Sequence, residues 1–337
     1  ISLPIAGLIQ LIFILYFAWR YKLINKRFFK ILEVDQKNLK KLTEKLNSTL
    51  KRFFPAFLTG GIFQINILID TLLASFLGIG SISFLYYADR LVQLPLGVIG
   101  VALGTTLLSS LSHPKVLSSI KQTSIQFEKS IKIGLYFSIP SMLVLMFFSD
   151  IVVSSIFKRG NFSEIETSQT MVALYFYSFG LPFFIISKSC QSIFLAAGKP
   201  KKIMYISLVQ LVCNLFLSLI LMQYINHGGI ALATSIATIL GTILYFKLIL
   251  KEKKLRVGKF KSKNQEGLLY LFKYLIKISL CSLSMIIFLK FIVNFFQILD
   301  FNINLLYLVI FTMLGLTFYL VVSYKTKQMP TEFFKTS

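Results

Sequence analysis

The sequence has 337 residues, of which 55% are hydrophobic and 15% are charged, and its 36 Lys and Arg against 13 Asp and Glu give a formal net charge of +23. Apolar runs of about 20 residues recur along the chain, as in proteins whose helices cross a lipid bilayer. This composition excludes an ordinary soluble domain and predicts an all-α polytopic membrane protein.

Nine apolar runs are long enough to cross about 30 Å of hydrocarbon at a rise of about 1.5 Å per residue. We therefore predict nine membrane helices, at residues 2–19, 54–78, 82–110, 133–157, 169–197, 202–223, 229–250, 269–293 and 303–323. The chain opens ISLPIAGLIQ, with no initiator Met, basic n-region or small-residue cleavage site. We expect this first run to be a membrane helix within a longer chain and not a signal peptide.

Basic segments separate the predicted helices into groups. The predicted organisation is a helix at 1–20, a basic linker at 21–53, a six-helix lobe at 54–250, a polybasic linker at 251–268, a two-helix unit at 269–325 and a tail at 326–337. In the first linker, LKKLTEKLNSTLKRFF places Leu and Phe at spacings of three and four, with Lys between them. This pattern predicts an amphipathic helix on the anionic inner leaflet or, equally, a solvated linker helix.

The positive charge alternates between the connections, which predicts the topology. Five segments hold 31 of the 36 Lys and Arg residues, at 20–52, 112–132, 198–202, 247–277 and beyond 323. The intervening connections, at 79–81, 158–168, 224–228 and 294–302, carry only Lys158 and Arg159. By the positive-inside rule, the N-terminus is expected outside and the C-terminus in the cytoplasm. Because the basic residues are spread over inner loops, we expect contact with anionic lipids and no nucleic-acid partner.

Two opposite charges lie side by side in SFLYYADRLVQLPLGVIG, residues 83–100, inside a predicted membrane helix. An Arg or Asp at the centre of such a helix costs about 2.5 to 3.5 kcal/mol. Asp89 and Arg90 are therefore expected in a protein-lined, water-accessible cavity and not against lipid. Adjacent helical residues point about 100° apart, so the two side chains do not form an i,i+4 pair with each other.

Arg90 shares its helix face with Tyr86 and Gln93. Pro95 lacks a backbone donor, so the helix is expected to bend beyond this group. A guanidinium beside an amide and a phenol suits a planar anion such as a phosphate, which it binds through two parallel hydrogen bonds. The alternative is that Arg90 neutralises an acid on another helix. Lys188, in a later helix, either snorkels toward the headgroups or faces the same cavity.

A second polar group begins with Asp70, which ends QINILID and has Asn66 one turn earlier. Polar residues also step by four along two later helices, at Gln210, Asn214 and Ser218 and at Thr234, Thr238 and Thr242. Carboxylate, amide and hydroxyl oxygens without Cys or His favour a hard cation such as sodium, or a proton on Asp70, over a transition metal. The alternative for each Ser and Thr is a hydrogen bond across helices without further function.

A small-residue seam steps by four, at Gly229, Ala233, Ala237 and Gly241, and this pattern predicts close helix packing.

No catalytic motif is found. His113 and His227 fall in predicted loops, without an acid or a nucleophile at motif spacing, and there is no P-loop. We therefore expect neither hydrolysis nor a nucleotide motor.

Four stretches closely resemble one family: FFPAFLTGGIFQINILIDTLLASFL, GSISFLYYADRLVQLPLGVIGVALGTTLLSSLS, FKRGNFSEIET and YSFGLPFFIISKSCQSIFLAAGKPKK. The chain resembles the MurJ/MviN lipid II flippases, of the multidrug/oligosaccharidyl-lipid/polysaccharide exporter superfamily, over essentially its whole length. Members have fourteen transmembrane helices, twelve in two lobes and two that form a lipid-accommodating groove. The resemblance implies that the nine predicted helices are family helices six to fourteen. Helix 1–20 would then end the N-terminal lobe, and 269–325 would be the groove unit.

The resemblance also implies roles for individual residues. Arg90 matches the family's essential cavity arginine, thought to meet the pyrophosphate of lipid II, and Asp89 matches the acid beside it. The candidate substrate-binding residues are therefore Arg90, Asp89, Gln93, Tyr86 and Lys188. Positions where some members bind sodium are matched by Asp70, Asn214, Ser218, Ile230 and Thr234.

Sodium binding at these positions is in doubt, because the members that bind it have an Asp at the place of Ser218. With one carboxylate instead of two, we expect sodium to be held weakly. Protonation of Asp70 then competes, since desolvation disfavours the charged form of a lone buried carboxylate.

These observations predict a multi-pass protein of the bacterial cytoplasmic membrane that flips lipid II from the inner to the outer leaflet by alternating access, without covalent chemistry. The alternative is a flippase of another lipid-linked oligosaccharide, or an ion-coupled drug exporter of the same superfamily. A non-transporting scaffold would leave the embedded charges unexplained. The expected partners are lipid II, anionic lipids and other cell-wall synthesis proteins, and no cofactor is expected beyond a coupling sodium ion or proton.

Overall fold

The computed structural model describes residues 2–21, 36–113, 116, 119–251, 267–298 and 305–330, and these residues form helices and no strands. The predicted all-α membrane class is therefore confirmed. The chain divides into two compact units, residues 1–53 and 54–337. Most of the predicted polybasic linker and most of the predicted tail lie outside the described residues. Of that linker, the structure describes Lys251 and the helical start at 267–268.

The first unit contains helix α1, Ser2–Arg20, and the beginning of α2, Gln36–Ser75, which continues into the second unit. The helix predicted in the first linker is present as the N-terminal part of α2. The second unit continues with α3 (Ser81–Pro95), a π-helical segment (Leu96–Val101), α4 (Ala102–Ser112), α5 (Ile120–Phe147), α6 (Ser149–Phe157), α7 (Glu164–Phe179), α8 (Leu181–Ala196), α9 (Pro200–Ile225), α10 (His227–Lys251), α11 (Gly267–Ile298) and α12 (Leu305–Lys325).

Seven helices in the described residues are long and apolar enough to cross a membrane, and the bent pair α7 and α8 makes an eighth. The remaining predicted span, 2–19, is present as α1, whose apolar stretch Gly7–Arg20 is shorter than a full crossing. His227, predicted in a loop, instead begins α10 and is buried. The order of the predicted spans is thus preserved, with local changes at their ends.

Two predicted spans are not continuous helices. The span 133–157 is interrupted at Phe148, whose φ of −124° and ψ of 31° leave the helical region, so the prediction of one helix there is wrong. Asp150 lies in the first turn of α6, where the helix dipole favours a carboxylate and supports a new start. The span 169–197 bends by 43° at Gly180, and Pro182 lies in the first turn after it.

The hydrogen-bond pattern of the helix changes at Pro95, where the sequence predicts a bend. The α-helical pattern of α3 ends at Pro95, and the chain continues through the π-helical segment into α4. Because proline has no N–H to donate, the ladder of i to i−4 hydrogen bonds cannot pass this position unbroken. Such π-helical turns are frequently found at functional sites.

Helix α8 is the structural centre of the lobe, because its serines bind three different neighbours. Ser187 lies 2.8 Å from the hydroxyl of Thr242 on α10, and Ser189 lies 2.8 Å from the hydroxyl of Ser130 on α5. Ser192 donates to the carbonyl of Gly104 on α4 at 2.7 Å. These buried hydroxyls are satisfied across helices, which is the usual way polar groups join membrane helices.

The helix pair α11 and α12 packs on α5 and α6. The Tyr136 hydroxyl of α5 lies 2.6 Å from Ser323 Oγ, and the Tyr319 hydroxyl donates to the Tyr136 carbonyl at 2.7 Å. The rings of Phe148 and Phe311 meet edge to face at 4.9 Å. The pair is therefore fixed to the lobe by both aromatic contacts and buried hydrogen bonds.

Candidate functional site

The first polar cluster begins on α2. This helix is mostly exposed: in its apolar stretch, Phe53–Ser75, only Pro55, Ile62, Asp70, Leu73 and Ala74 are buried. Asp70 is among the buried residues, with 9% of its surface exposed. Asn66, one turn earlier, donates to Asp70 Oδ2 at 3.2 Å. These two side chains thus form a polar part of the face that α2 turns to the rest of the second unit.

Asn214 of α9 binds both residues of α2. Its Nδ2 lies 2.9 Å from Asp70 Oδ1 and 2.9 Å from Asn66 Oδ1, and the residue is 1% exposed. Its Oδ1 accepts a hydrogen bond from Ser218, one turn later on α9, at 3.2 Å. Every polar atom of this amide is therefore used inside the cluster.

Helix α10 supplies the third side of the cluster. Thr234 Oγ1 lies 3.3 Å from Asp70 Oδ2 and 3.1 Å from the carbonyl of Ile230. The structure thus brings together all five residues predicted for a cation, together with Asn66. The assembled groups are one carboxylate, two amide oxygens, two hydroxyls and a backbone carbonyl, a set that suits a hard monovalent cation or a proton on Asp70.

The small-residue seam explains why α9 and α10 lie so close. A Cβ at Gly229 would overlap the backbone of Leu221, and a Cβ at Gly241 would overlap the side chain of Gln210. The predicted close packing along this seam is confirmed, and it places the Thr234 hydroxyl 3.5 Å from the amide oxygen of Asn214.

Other residues of the two polar stripes do not join the cluster. Gln210 lies against Gly241, and Thr238 donates to the carbonyl of Thr234 on its own helix at 2.8 Å. Thr242 bonds to Ser187 of α8. Thr238 and Thr242 therefore agree with the alternative stated from the sequence, because their hydroxyls form hydrogen bonds within or across helices and do not reach the cluster.

The second polar group lies on α3 and is organised by Gln93. Its amide nitrogen donates to Asp89 Oδ2, and its amide oxygen accepts from Arg90 Nη1 at 3.3 Å. The guanidinium lies 4.7 Å from the centroid of the Tyr86 ring. Asp89 and Arg90 therefore do not pair directly but are joined through one amide, which we call the Asp89–Gln93–Arg90 triad.

Arg90 remains available for an anion. The residue is exposed, and no acid of another helix in the described part of the chain forms an ion pair with it. The alternative that Arg90 neutralises an acid elsewhere thus finds no partner among those residues. Lys188 lies on a different helix, α8, where it is half-buried, its carbonyl accepts from Ser192 at 3.0 Å, and its Cβ faces Gly104 of α4.

An apolar cavity of about 320 Å³ begins directly beyond Arg90 on α3. Leu91, Leu94 and Pro95 form its α3 side, and residues of α5 and α6 form its floor. Residues of the helix pair close the opposite side, among them Leu289, Phe311 and Tyr319. The exposed Arg90 and the first residues of this apolar lining therefore lie within about one turn of the same helix.

Tyr177 of α7 is a residue of this region that the sequence did not predict. Its side chain is 8% exposed and belongs to the same buried cluster as Leu73, which follows Asp70 on α2, and Ala88, which precedes Asp89 on α3. A tyrosine inside an apolar run belongs to no motif, so only the fold reveals this position.

Comparison with known proteins identifies the family of the chain. The family model described as "Lipid II flippase MurJ" matches residues 1–329. The chain is 32% identical over 257 residues to a probable lipid II flippase MurJ of Rickettsia prowazekii, covering 76% of this chain and 48% of that protein. It is 34% identical over 251 residues to the corresponding protein of Buchnera aphidicola subsp. Schizaphis graminum, covering 74% and 47%. The chain thus spans about half the length of these curated relatives.

Solved structures give the same result. A lipid II flippase MurJ in an inward closed conformation superimposes with a TM-score of 0.65 at 29% identity, over 85% of this chain and 56% of that one. An outward-facing multidrug transporter of the MATE family shares only the fold, with a TM-score of 0.50 at 15% identity, over 73% and 55%. With a family model that covers nearly every residue and relatives that agree with it, the chain belongs to the MurJ family of lipid II flippases.

Proposed function

We propose that this chain forms part of a flippase that moves lipid II from the inner to the outer leaflet of the bacterial cytoplasmic membrane by alternating access. The observation that carries the proposal is Arg90, an exposed guanidinium held in place by Gln93 at the edge of an apolar cavity. Lipid II has the matching composition, since it joins a pyrophosphate to a long hydrocarbon chain. A cationic group and an apolar cavity on the same stretch of helix are what such a molecule requires.

Arg90 is proposed to bind the pyrophosphate. A guanidinium presents five N–H donors in a planar fork, and Gln93 Oε1 takes one of them. The others can form two parallel bonds to phosphate oxygens. Asp89 accepts a hydrogen bond from the same Gln93, and its negative charge would repel the pyrophosphate. This repulsion would keep the anion from binding too tightly to be released.

The cavity beyond Arg90 is proposed to hold part of the lipid tail. Its walls come from α3, α5 and α6 on one side and from α11 and α12 on the other, so it lies beside the phosphate site and not inside the lobe. A hydrocarbon chain gains about 25 cal/mol for each Å² of apolar surface removed from water. The tail would remain in this groove while the head group crosses.

The Asp70 cluster is proposed to couple transport to a cation. Asp70 is the only acidic side chain among the residues that hydrogen-bond in the cluster. One negative charge attracts a monovalent cation less strongly than two, so we propose that a proton on Asp70 or the membrane potential drives transport more than sodium does. Cation binding would also hold the otherwise exposed α2 against α9 and α10.

The topology proposed for the protein places its C-terminus in the cytoplasm. The inner connections hold 31 of the 36 Lys and Arg residues, and this excess sets orientation in membrane proteins. The same basic segments would contact anionic lipids of the inner leaflet.

Lipid specificity can be tested by flipping assays in liposomes. The complete flippase is built as a chimera that places the N-terminal part of a curated relative before this chain, because the chain spans about half the length of those relatives. We expect it to flip labelled lipid II and to lose this activity with Arg90→Ala, while Arg159→Ala, an exposed arginine outside the site, serves as the matched control. Equal or faster flipping of another lipid-linked oligosaccharide, or export of a drug, would replace the proposal by one of its alternatives.

A further inference from the structure

A buried tyrosine pair lies at one end of the apolar cavity. Along α12 the lining residues end at Tyr319, and along α5 they begin at Phe137. The rings of Tyr136 and Tyr319 lie 5.0 Å apart. Phe148, which directly follows α5, meets Phe311, which precedes Tyr319 on α12. Helices α5 and α12 therefore run in opposite directions, and Tyr319 and Phe137 stand at the same end of the cavity.

Pro140 leaves the carbonyl of Tyr136 without its usual partner. In an α-helix this carbonyl would accept a hydrogen bond from the backbone N–H four residues later, and proline has none to donate. The Tyr319 hydroxyl donates to the same carbonyl at 2.7 Å. A phenol of α12 thus takes the place of the missing N–H of α5.

This bond holds Tyr319 at the end of the cavity. Tyr319 is 1% exposed, so a movement of its ring away from α5 would break the bond in apolar surroundings, where water does not replace it. Leu289 and Leu316 also line the cavity, but their side chains have no polar atom and can change rotamer without such a loss. Tyr319 is therefore a fixed point in a more adaptable lining.

The space beyond Tyr319 is filled. The Tyr136 ring meets the Phe137 ring edge to face at 4.9 Å. The Tyr136 hydroxyl lies 2.6 Å from Ser323 Oγ, one turn beyond Tyr319 on α12. Tyr136 and Ser323 are both buried. A hydrocarbon chain in the cavity therefore meets a closed end here.

We propose that Tyr319 is a specificity-determining residue that ends the cavity and sets how much of a lipid tail the cavity encloses. A chain that reaches Tyr319 gains nothing in this cavity from further methylene groups, because the ring stands where they would go. The inference rests on the proposed function, since it assumes that the lipid tail lies in this cavity while Arg90 binds the pyrophosphate.

Competition binding with prenyl pyrophosphates of different chain length tests this role. The 337-residue chain is reconstituted in nanodiscs, and geranyl, farnesyl, geranylgeranyl and undecaprenyl pyrophosphate displace labelled lipid II. We expect the affinity of the unmodified chain to rise along this series and then to level off. In Tyr319→Ala the levelling should occur at a longer chain, with a gain of about fourfold for each methylene group that enters the enlarged cavity. Partition of the compounds into the nanodisc lipid is the same for every variant, so the measured quantity is the shift between variants.

Two further variants make the test specific. Tyr324→Ala removes an exposed tyrosine from the same helix and should leave the chain length at which the affinity levels off unchanged. Tyr319→Phe keeps the ring but removes the bond to the Tyr136 carbonyl. It should therefore shift this chain length in the same direction by less, and it decides the matter if Tyr319→Ala does not fold.

The outcomes separate the role of Tyr319 from the proposed function. A chain length that stays the same in every Tyr319 variant that folds overturns the role of Tyr319 alone. A shift with Tyr319→Ala but not with Tyr319→Phe supports the ring as the end of the cavity and overturns the part assigned to the Tyr136 carbonyl. An unmodified chain that does not bind these compounds, or binds all of them with equal affinity, overturns the proposed function as well.

Discussion

Ser218→Asp should convert the Asp70 cluster into a tighter sodium site. The Ser218 hydroxyl is fully buried and lies 3.2 Å from Asn214 Oδ1, while the other end of the same amide lies 2.9 Å from Asp70 Oδ1. A carboxylate at residue 218 would therefore add a second negative charge to the cluster, separated from Asp70 by one amide. A sodium ion between the two would gain about 4 kcal/mol from a charge about 4 Å away at an effective dielectric constant of about 20.

Two costs reduce this gain. The new carboxylate must be desolvated, and in the absence of sodium it repels Asp70. It also replaces a hydroxyl donor by an acceptor, so Asn214 Oδ1 loses its hydrogen bond from residue 218. A net gain of about 1.4 to 2.8 kcal/mol would lower the Kd for sodium by about 10- to 100-fold. Without sodium, the variant should be less stable than the unmodified protein.

The assay is thermal unfolding in detergent while sodium replaces choline at constant ionic strength. Stabilisation follows RT ln(1 + [L]/Kd) and amounts to about 2.7 kcal/mol when the ligand is at 100 times its Kd. Ser218→Asn is the matched control, because an amide has nearly the same size and shape without the charge. Strong sodium stabilisation of the unmodified protein, with none added by Ser218→Asp over Ser218→Asn, would refute the reasoning. In flipping assays of the chimera, sodium dependence should likewise emerge only with Ser218→Asp.

Three further predictions concern other parts of the fold. In the chimera, Arg90→Ala should abolish complementation of a MurJ-depleted strain. Arg90→Lys should complement only in part, because an ammonium cannot bind phosphate through a planar fork. Normal growth with well-expressed Arg90→Ala chimera would contradict this prediction. Gly229→Val should lower the free energy of unfolding by about 1–3 kcal/mol or more, since the new side chain meets the Leu221 backbone. Gly61→Val is the control: a Cβ at Gly61 has no heavy atom within 4 Å, so this variant should lose less stability in thermal unfolding. Tyr136→Phe should cost about 1 kcal/mol through the lost bond to Ser323, and a thermal shift no larger than that of the exposed Tyr324→Phe would argue against it.

Charge and hydropathy in the sequence predicted most of the fold, because both are local properties. A membrane helix is visible as an apolar run, and the order of the predicted spans agrees with the structure. Hydropathy alone did not reveal the break at Phe148, because Ser149 and Asp150 interrupt an otherwise apolar run only briefly, although both residues are typical of a helix start. The contact of Phe148 with Phe311 of α12, more than 160 residues away, is tertiary and cannot be predicted from the local sequence.

The candidate site was predictable within each helix but not between helices. A step of four residues places Asn214 and Ser218 on one face, yet Gln210 satisfies the same rule and lies against Gly241 instead of in the cluster. Only the resemblance to the MurJ family connected Asp70 with residues more than 140 positions away.

What decides membership of the cluster is the distance between α9 and α10, which the small-residue seam sets. At Gly229 the two helices approach so closely that no side chain fits, and five residues later Thr234 comes within 3.5 Å of Asn214. The seam is therefore more than a packing motif, because the proposed cation ligands on α9 and α10 can converge only if the two helices meet there. A larger residue at Gly229 should accordingly impair sodium binding by a Ser218→Asp protein, even though Gly229 contributes no ligand.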